Sequence, residues 1–179
     1  MLRLFVALEI PNEVRRTIAS IGTGLPDARW VSPESLHITL RFIGEVEEYV
    51  AEEVDAELVG IRVRPFTIGL SGLGCFESRN RVRAVWARVV AGDELTQLQR
   101  SIELALRRAG LTPDTHKFVP HVTLCRLRQV PVEGVVPYLQ LHGDFRSVPF
   151  VADHFTLFRS HMGRSGSHYE PLAQYDLSE

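Results

Sequence analysis

Two ten-residue stretches of this chain, HITLRFIGEV from His37 to Val46 and HVTLCRLRQV from His121 to Val130, align without a gap. Histidine, threonine, leucine and the final valine are identical, and the pairs Ile/Val, Ile/Leu and Glu/Gln are similar. Apolar and polar residues alternate at the start of each stretch, which predicts a β-strand with histidine and threonine on one face. The repeat therefore predicts two related lobes that face each other.

The remainder of the chain alternates between strand and helix patterns. We predict further strands at 3–10, 66–73, 82–90, 148–158 and 169–177, and helices at 11–21, 46–58 and 93–109. The segment 130–143 is predicted as a loop or a short helix broken by Pro137, Gly72–Gly74 as a turn, and 163–166 as a mobile connection. Because most strands alternate and are not apolar throughout, an α+β fold with antiparallel sheets is favoured over a doubly wound parallel sheet.

Composition narrows the class of protein. The chain has 179 residues, 45% of them hydrophobic, which is enough for one domain or two small lobes that share a core. The net charge of −2 argues against binding long nucleic acid by phosphate neutralisation alone, but it leaves room for a small phosphate site. No apolar run reaches the roughly 18 residues of a membrane helix, and the N-terminus does not resemble a signal peptide. We therefore expect a soluble cytoplasmic protein with no membrane contact.

The repeated motif places the groups of an acid–base site on two strand faces. His37 lies beside Thr39, and His121 beside Thr123. If the two faces meet, one imidazole can remove a proton from water while the other protonates a leaving oxygen, and the hydroxyls can bind phosphate oxygens. Such chemistry needs no metal. A single His-x-Thr is more often structural, so the hypothesis depends on the pair.

At these motifs the sequence resembles the two-histidine (2H) phosphoesterases. The likeness is strongest to bacterial and archaeal RNA 2′,3′-cyclic phosphodiesterases, formerly called 2′-5′ RNA ligases. The segments that carry it are LRLFVALEIP from Leu2, RWVSPESLHITLRFIGEV from Arg29, AVWARV from Ala84, FVPHVTLCRL from Phe118 and LFRSHMGRSGSHYEPL from Leu157. The resemblance implies a bilobal α+β fold with flanking helices, in which two antiparallel sheets form a central cleft with pseudo-twofold duplication, and a single domain of two intertwined lobes over residues 1–179.

The resemblance also implies roles for the motif residues. His37 would be the proton donor to the leaving 3′ oxygen and His121 the proton acceptor that activates water, while Thr39 and Thr123 would bind the phosphate. No cofactor and no metal are implied. The expected partners are RNA 3′ ends with a 2′,3′-cyclic phosphate, tRNA fragments among them, and the expected state is a monomer.

Two further motif residues, Phe42 and Arg126, have more than one interpretation, and the role of a third, Arg41, is open. Phe42 matches a family position near the nucleobase, whereas strict alternation puts it in the core with Leu40. Arg126 matches an arginine that is suited to clamp a phosphate, yet alternation places it opposite His121 unless the strand bulges first. Arg41 falls on the His37 face by alternation and has no assigned role.

Other functions and other residues compete with this interpretation. The same site could serve 2′-5′ RNA ligation or 2′-5′ phosphodiesterase activity, and the chain could instead be a non-catalytic module that binds RNA ends. His154, His161 and His168 recur every seven residues, a spacing that does not favour a metal site. Cys75 and Cys125 are too few for a disulfide framework and are expected to be reduced. Trp30 and Trp86 are interpreted as core or lobe-interface anchors.

Overall fold

The structure, a computed structural model, describes all residues from Met1 to Glu179. Nine strands form two antiparallel sheets, in the orders β3-β1-β8-β9 and β2-β6-β5-β4-β7. The strands are β1 Leu2–Glu9, β2 Arg29–Trp30, β3 His37–Val46, β4 Phe66–Ser78, β5 Arg81–Ala91, β6 His121–Pro131, β7 Phe150–Ala152, β8 His154–Gly163 and β9 Gly166–Asp176. The helices are α1 Asn12–Ala19, α2 Glu48–Leu58, α3 Asp93–Arg108 and α4 Val136–Leu141. The predicted α+β fold is confirmed, and each motif strand lies in a different sheet.

One hydrophobic core joins the two sheets. It contains 40 buried residues, among them Leu8 and Ile38 of the first sheet, Val85 and Leu124 of the second, and Leu98 of α3. At the start of β3 and of β6 these residues alternate with polar ones, so one face of each strand is buried in the core there. Strand β1 differs, because it is buried on both faces from Leu4 to Leu8. Burial of each large aliphatic side chain stabilises the fold by about 1.5–3 kcal/mol relative to exposure.

Helix α3 illustrates how the sequence pattern becomes structure. Its buried residues recur at three- and four-residue intervals along one face: Leu95, Leu98, Ile102, Ala105 and Leu106. Acidic residues occupy its first turn and arginines its last, which suits the helix dipole. Beyond its end, Gly110 adopts a φ of 89°, a conformation that glycine accepts without steric cost. The predicted helix over 93–109 therefore forms almost as expected.

Three local predictions were wrong. Gly72 and Gly74 lie inside β4, which runs on to Ser78, and form no turn. Val46 ends β3 and does not begin α2. Pro137 opens α4, where its missing N–H costs nothing, and does not break a helix. The segment 163–166 connects two strands as expected, as the tight turn of the β8–β9 hairpin in which Gly163 pairs with Gly166, and its mobility stays a prediction. None of the helices has both the length and the apolar character needed to cross a membrane.

Candidate active site

A β-bulge in β3 decides which of its side chains reach the cleft between the sheets. Val6 of β1 lies opposite Arg41, but the next residue, Ala7, lies opposite Thr39, so Leu40 is an extra residue in β3. His37, Thr39 and Phe42 consequently pair with Glu9, Ala7 and Phe5, in that order. Because those three β1 residues alternate along one face, the three β3 side chains share that face.

Strand β6 repeats this irregularity at the equivalent position. Val85 of β5 pairs with Cys125 and Trp86 pairs with Thr123, so Leu124 is the extra residue. His121, Thr123 and Arg126 pair with Arg88, Trp86 and Ala84, in that order, and these also lie on one strand face. Each motif thus presents its histidine, its threonine and the residue five positions after the histidine.

The bulges overturn the expectations that followed from strict alternation. Phe42 is not a core residue, since its exposed fraction is 63%. Arg126 lies on the same face as His121 and not opposite it. One inserted residue reverses the inside–outside phase of the residues after it until the next irregularity, which in β3 comes at Ile43. A period-two pattern in the sequence carries no sign of where this happens.

Arg41 lies on the face of β3 opposite His37, so its expected position on the His37 face was wrong. It pairs with Val6, whose side chain is in the core. The guanidinium donates to Glu103 of α3 at 2.7 Å, to the Thr112 carbonyl at 2.7 Å and to the Phe42 carbonyl. Arg41 therefore connects β3 to α3 and to the segment that precedes β6.

The two imidazoles are held in the same way. Nδ1 of His37 lies 2.7 Å from the carbonyl oxygen of Ser35, and Nδ1 of His121 lies 2.7 Å from that of Val119. A carbonyl oxygen can only accept, so Nδ1 carries a proton in both rings. Nε2 is then the atom that accepts a proton in the neutral form of each ring and donates one in the charged form.

Aromatic side chains enclose both imidazoles. Ring centroids of Phe5 and Tyr169 lie 5.0 and 5.2 Å from that of His37. Those of Phe76 and Trp86 lie 4.9 and 5.8 Å from that of His121. Of the four, only Trp86 was expected to be structurally important, as a core or interface anchor. Phe5 carried a usable signal, since an aromatic residue on the face of β1 opposite its main apolar stripe indicates that this face is also covered.

Gly74 leaves room for the Trp86 ring. A Cβ atom added at Gly74 would lie 2.5–2.9 Å from three atoms of the indole, closer than atoms can approach. The indole therefore lies across β4 at a position where any side chain at residue 74 would have to displace it. A glycine that resembles a turn residue in the sequence is thus part of the wall that holds His121.

Burial and neighbouring charges act on both histidines in the same direction. Desolvation lowers the pKa of His37, and the charges of His121 and Arg126 lower it further, against a smaller opposing effect of the Ser35 hydrogen bond. Desolvation also lowers the pKa of His121, with Arg126 acting in the same sense, against the opposing Val119 hydrogen bond. Three groups that can carry positive charge therefore influence one another, an arrangement suited to an anion.

The cleft has a volume of about 420 Å³. Its lining includes His37, Phe42 and Arg126, with Tyr169 and Met162 contributed by the β8–β9 hairpin, whereas His121, Thr39 and Thr123 are not part of that lining. A depression of similar size, about 430 Å³, lies between Arg41 and the segment around His116 and contains neither catalytic candidate.

The remaining histidines and cysteines take other positions. His154 contacts the carboxylates of Glu9 and Asp153, and His161 contacts Glu170. No group of three or more His, Cys, Asp or Glu side chains is arranged to hold a metal ion. Cys75 and Cys125 are free thiols.

Known proteins share both the sequence pattern and the fold. The model of the LigT-like phosphoesterases matches the chain twice, over residues 8–86 and 89–169. An RNA 2′,3′-cyclic phosphodiesterase of Aeropyrum pernix is 39% identical over 154 residues, which cover 84% of this chain and 86% of the relative. A relative of the same name from Thermotoga maritima is 30% identical over 178 residues, covering 96% and 93% of the two chains. The crystal structure of E. coli LigT complexed with 3′-AMP superposes with a TM-score of 0.81 at 27% identity and covers 99% of each chain.

Proposed function

Since the chain belongs to the LigT-like phosphoesterase family, we propose that it opens the 2′,3′-cyclic phosphate at RNA 3′ ends with His37 and His121 as its acid–base pair. The activity is that of an RNA 2′,3′-cyclic phosphodiesterase. The relatives with that name align with this chain over most of their length. The roles of the individual residues are our proposal, and the geometry of the cleft supports them.

The observation that carries the proposal is the matched pair of imidazoles. Both keep Nδ1 bonded to a backbone carbonyl, so both offer Nε2 for proton transfer. In hydrolysis His121 removes a proton from water, the resulting oxygen attacks phosphorus, and the bond from phosphorus to the 3′ oxygen breaks. His37 donates its proton to that 3′ oxygen, which leaves a 2′-phosphomonoester. The direction of the two roles follows the family resemblance.

The neighbouring side chains account for binding. Thr39 and Thr123 lie on the same strand faces as the histidines and donate hydrogen bonds to phosphate oxygens, where negative charge increases in the transition state. Arg126 supplies a permanent positive charge that two oxygens can share. The exposed ring of Phe42 offers a surface for a base, and such stacking is worth about 1–3 kcal/mol. This chemistry requires no metal ion.

The test is a turnover assay on an RNA that ends in a 2′,3′-cyclic phosphate, carried out in EDTA. We expect a 2′-phosphate end, and we expect His37→Ala and His121→Ala each to remove most of the activity, since general acid–base groups contribute about 10²–10⁴-fold each. A 3′-phosphate product, loss of turnover on chelation, or near-normal activity of either variant would contradict the scheme. RNA halves incubated with the protein at the same time would reveal any 2′-5′ joining.

We also propose that residues 1–179 act as a single domain and as a monomer. Both motif strands come from one chain, and one hydrophobic core joins the two sheets, which supports a site complete within one molecule. The cytoplasmic location and the use of tRNA fragments as substrates stay predictions. Sedimentation of the protein would test the monomer.

A further inference from the structure

A strip of three arginines continues from the cleft along the face of the second sheet. Arg29 of β2 lies directly opposite Arg126 of β6. Cys125 and Leu127 are buried in the core, so Arg126 and Arg128 both point to the opposite, exposed side. Arg126 borders the cleft that contains His37, whereas Arg29 and Arg128 line an adjoining groove of about 400 Å³.

No carboxylate forms an ion pair with any of these three arginines. Arg41, Arg107 and Arg108 form ion pairs with glutamates, but Arg29, Arg126 and Arg128 form none. Like charges directly opposite each other in a sheet are destabilising, so the pairing of Arg29 with Arg126 costs stability in the free protein. Asp27 also lines the groove, but it makes no ion pair there. An anion bound at the strip would offset this repulsion.

We propose that Arg29 and Arg128 form a second phosphate site, which binds the RNA backbone on the 5′ side of the terminal cyclic phosphate. The inference rests on the proposed function. A cyclic phosphate ends the strand, so the rest of the RNA extends from the cleft in the 5′ direction only. Arg126 and Arg128 are two residues apart on β6, so their backbone positions lie about 6.8 Å apart. This spacing is close to that of successive phosphates in an extended single-stranded RNA. A positively charged groove that tracks a single-stranded backbone is a common way to bind RNA without reading its sequence.

The second site makes the substrate an oligonucleotide end. A cyclic mononucleotide fills the cleft and leaves Arg29 and Arg128 without a phosphate, while an RNA oligomer engages both. The ratio of kcat/KM for the oligomer to kcat/KM for the mononucleotide therefore measures the contribution of the groove.

The experiment compares 2′,3′-cyclic AMP with an RNA hexamer that ends in a 2′,3′-cyclic phosphate. We expect the ratio of the two kcat/KM values to fall about tenfold in Arg29→Gln/Arg128→Gln, mainly through a higher KM for the hexamer. The salt dependence of log KM for the hexamer should become shallower by roughly 0.7 for each phosphate that the variant no longer neutralises. Arg100→Gln, at an exposed arginine of α3 without an ion pair, serves as the matched control and should leave the ratio unchanged.

Two results would overturn the proposal: an unchanged ratio, or an equal loss for both substrates, which would mean that the arginines only support the β2–β6 pairing. A failure of the proposed function is distinguishable, because the wild-type protein would then turn over neither substrate. In that case the anisotropy of a labelled hexamer with a 3′-phosphate, measured for the wild type and the double variant, still reports on the groove. Equal affinities would reject the second phosphate site.

Discussion

At the scale of single residues, the two catalytic candidates are the imidazoles of His37 and His121. Their surroundings determine how readily each ring is protonated. Each ring is oriented by one backbone carbonyl and is partly removed from water by two aromatic rings. Desolvation and the charge of Arg126 lower the pKa of both. Acid–base catalysis by the pair requires one neutral and one protonated ring, so the rate falls when both are protonated and when both are neutral.

This predicts a bell-shaped pH dependence of kcat/KM whose centre lies below pH 6.5, the usual pKa of histidine. In Arg126→Gln a positive charge that disfavours both imidazolium forms is removed, so both limbs of the bell should move to higher pH, in addition to any decrease in rate. The profile is measured with a cyclic mononucleotide, and Arg100→Gln should leave it in place. Limbs that stay fixed in Arg126→Gln would show that this arginine does not act on the histidines.

At the scale of secondary-structure elements, strand β4 shapes the wall behind His121. Gly74 lies beneath the indole of Trp86, and the indole contacts the ring of His121. A methyl group at Gly74 has to displace the indole, since its nearest ring atoms would be 2.5–2.9 Å away. A side chain at Gly74 would therefore shift the indole of Trp86, which in turn contacts the imidazole of His121.

We therefore expect Gly74→Ala to lower the free energy of unfolding by about 1–3 kcal/mol, the usual cost of overpacking, and to reduce kcat. Gly69→Ala in the same strand is the control, because a Cβ atom there meets nothing within 4 Å. That control should be neutral or slightly stabilising. Chemical denaturation and turnover of both variants provide the measurements, and equal behaviour of the two would contradict the proposed wall.

At the scale of the whole molecule, the Arg41–Glu103 pair connects the two halves that carry the motifs. Arg41 follows the first motif, and its guanidinium contacts Glu103 and the Thr112 carbonyl. Glu103 in turn accepts from the Asp114 backbone N–H at 3.0 Å. Exposed fractions of 9% and 14% for the two side chains place the pair largely out of water.

Removal of one partner leaves a charge without compensation, so Arg41→Met should lower the free energy of unfolding by about 3–5 kcal/mol. Arg41→Met/Glu103→Met removes both charges and should recover part of that stability. Denaturant unfolding of the single and double variants measures the difference. If the double variant loses more free energy of unfolding than Arg41→Met and Glu103→Met lose together, the result would argue against a compensated pair.

Protonation of His154 makes the stability of the fold depend on pH. Desolvation by itself lowers the pKa of His154, but hydrogen bonds and charges from Glu9 and Asp153 outweigh it and raise that pKa. A pKa raised in the folded state means that the stabilisation is complete below pH 6.5 and disappears as pH rises through the folded value. His154→Gln should therefore lower Tm more at pH 6 than at pH 9, measured by thermal unfolding at the two pH values. A pH-independent decrease in His154→Gln would reject the linkage.

Local pattern by itself determined much of this protein. The alternation around His37 and His121 predicted two strands, the spacing from Leu95 to Ala105 predicted α3, and the repeated motif identified the four residues of the proposed acid–base site. These signals are readable because a period of two or of 3.6 residues reports directly which face of an element is buried. Resemblance to the 2H phosphoesterases then added the substrate.

Only the tertiary structure decided what lies beyond the bulges and across the cleft. Extra residues at Leu40 and Leu124 turn Phe42 and Arg126 toward the histidines and turn Arg41 away, and a bulge depends on pairing with a neighbouring strand that the local sequence does not contain. The aromatic walls, the space above Gly74 and the pairing of Arg29 with Arg126 likewise join residues far apart in the chain. Such contacts are set by the register of the sheets, which is a property of the whole fold.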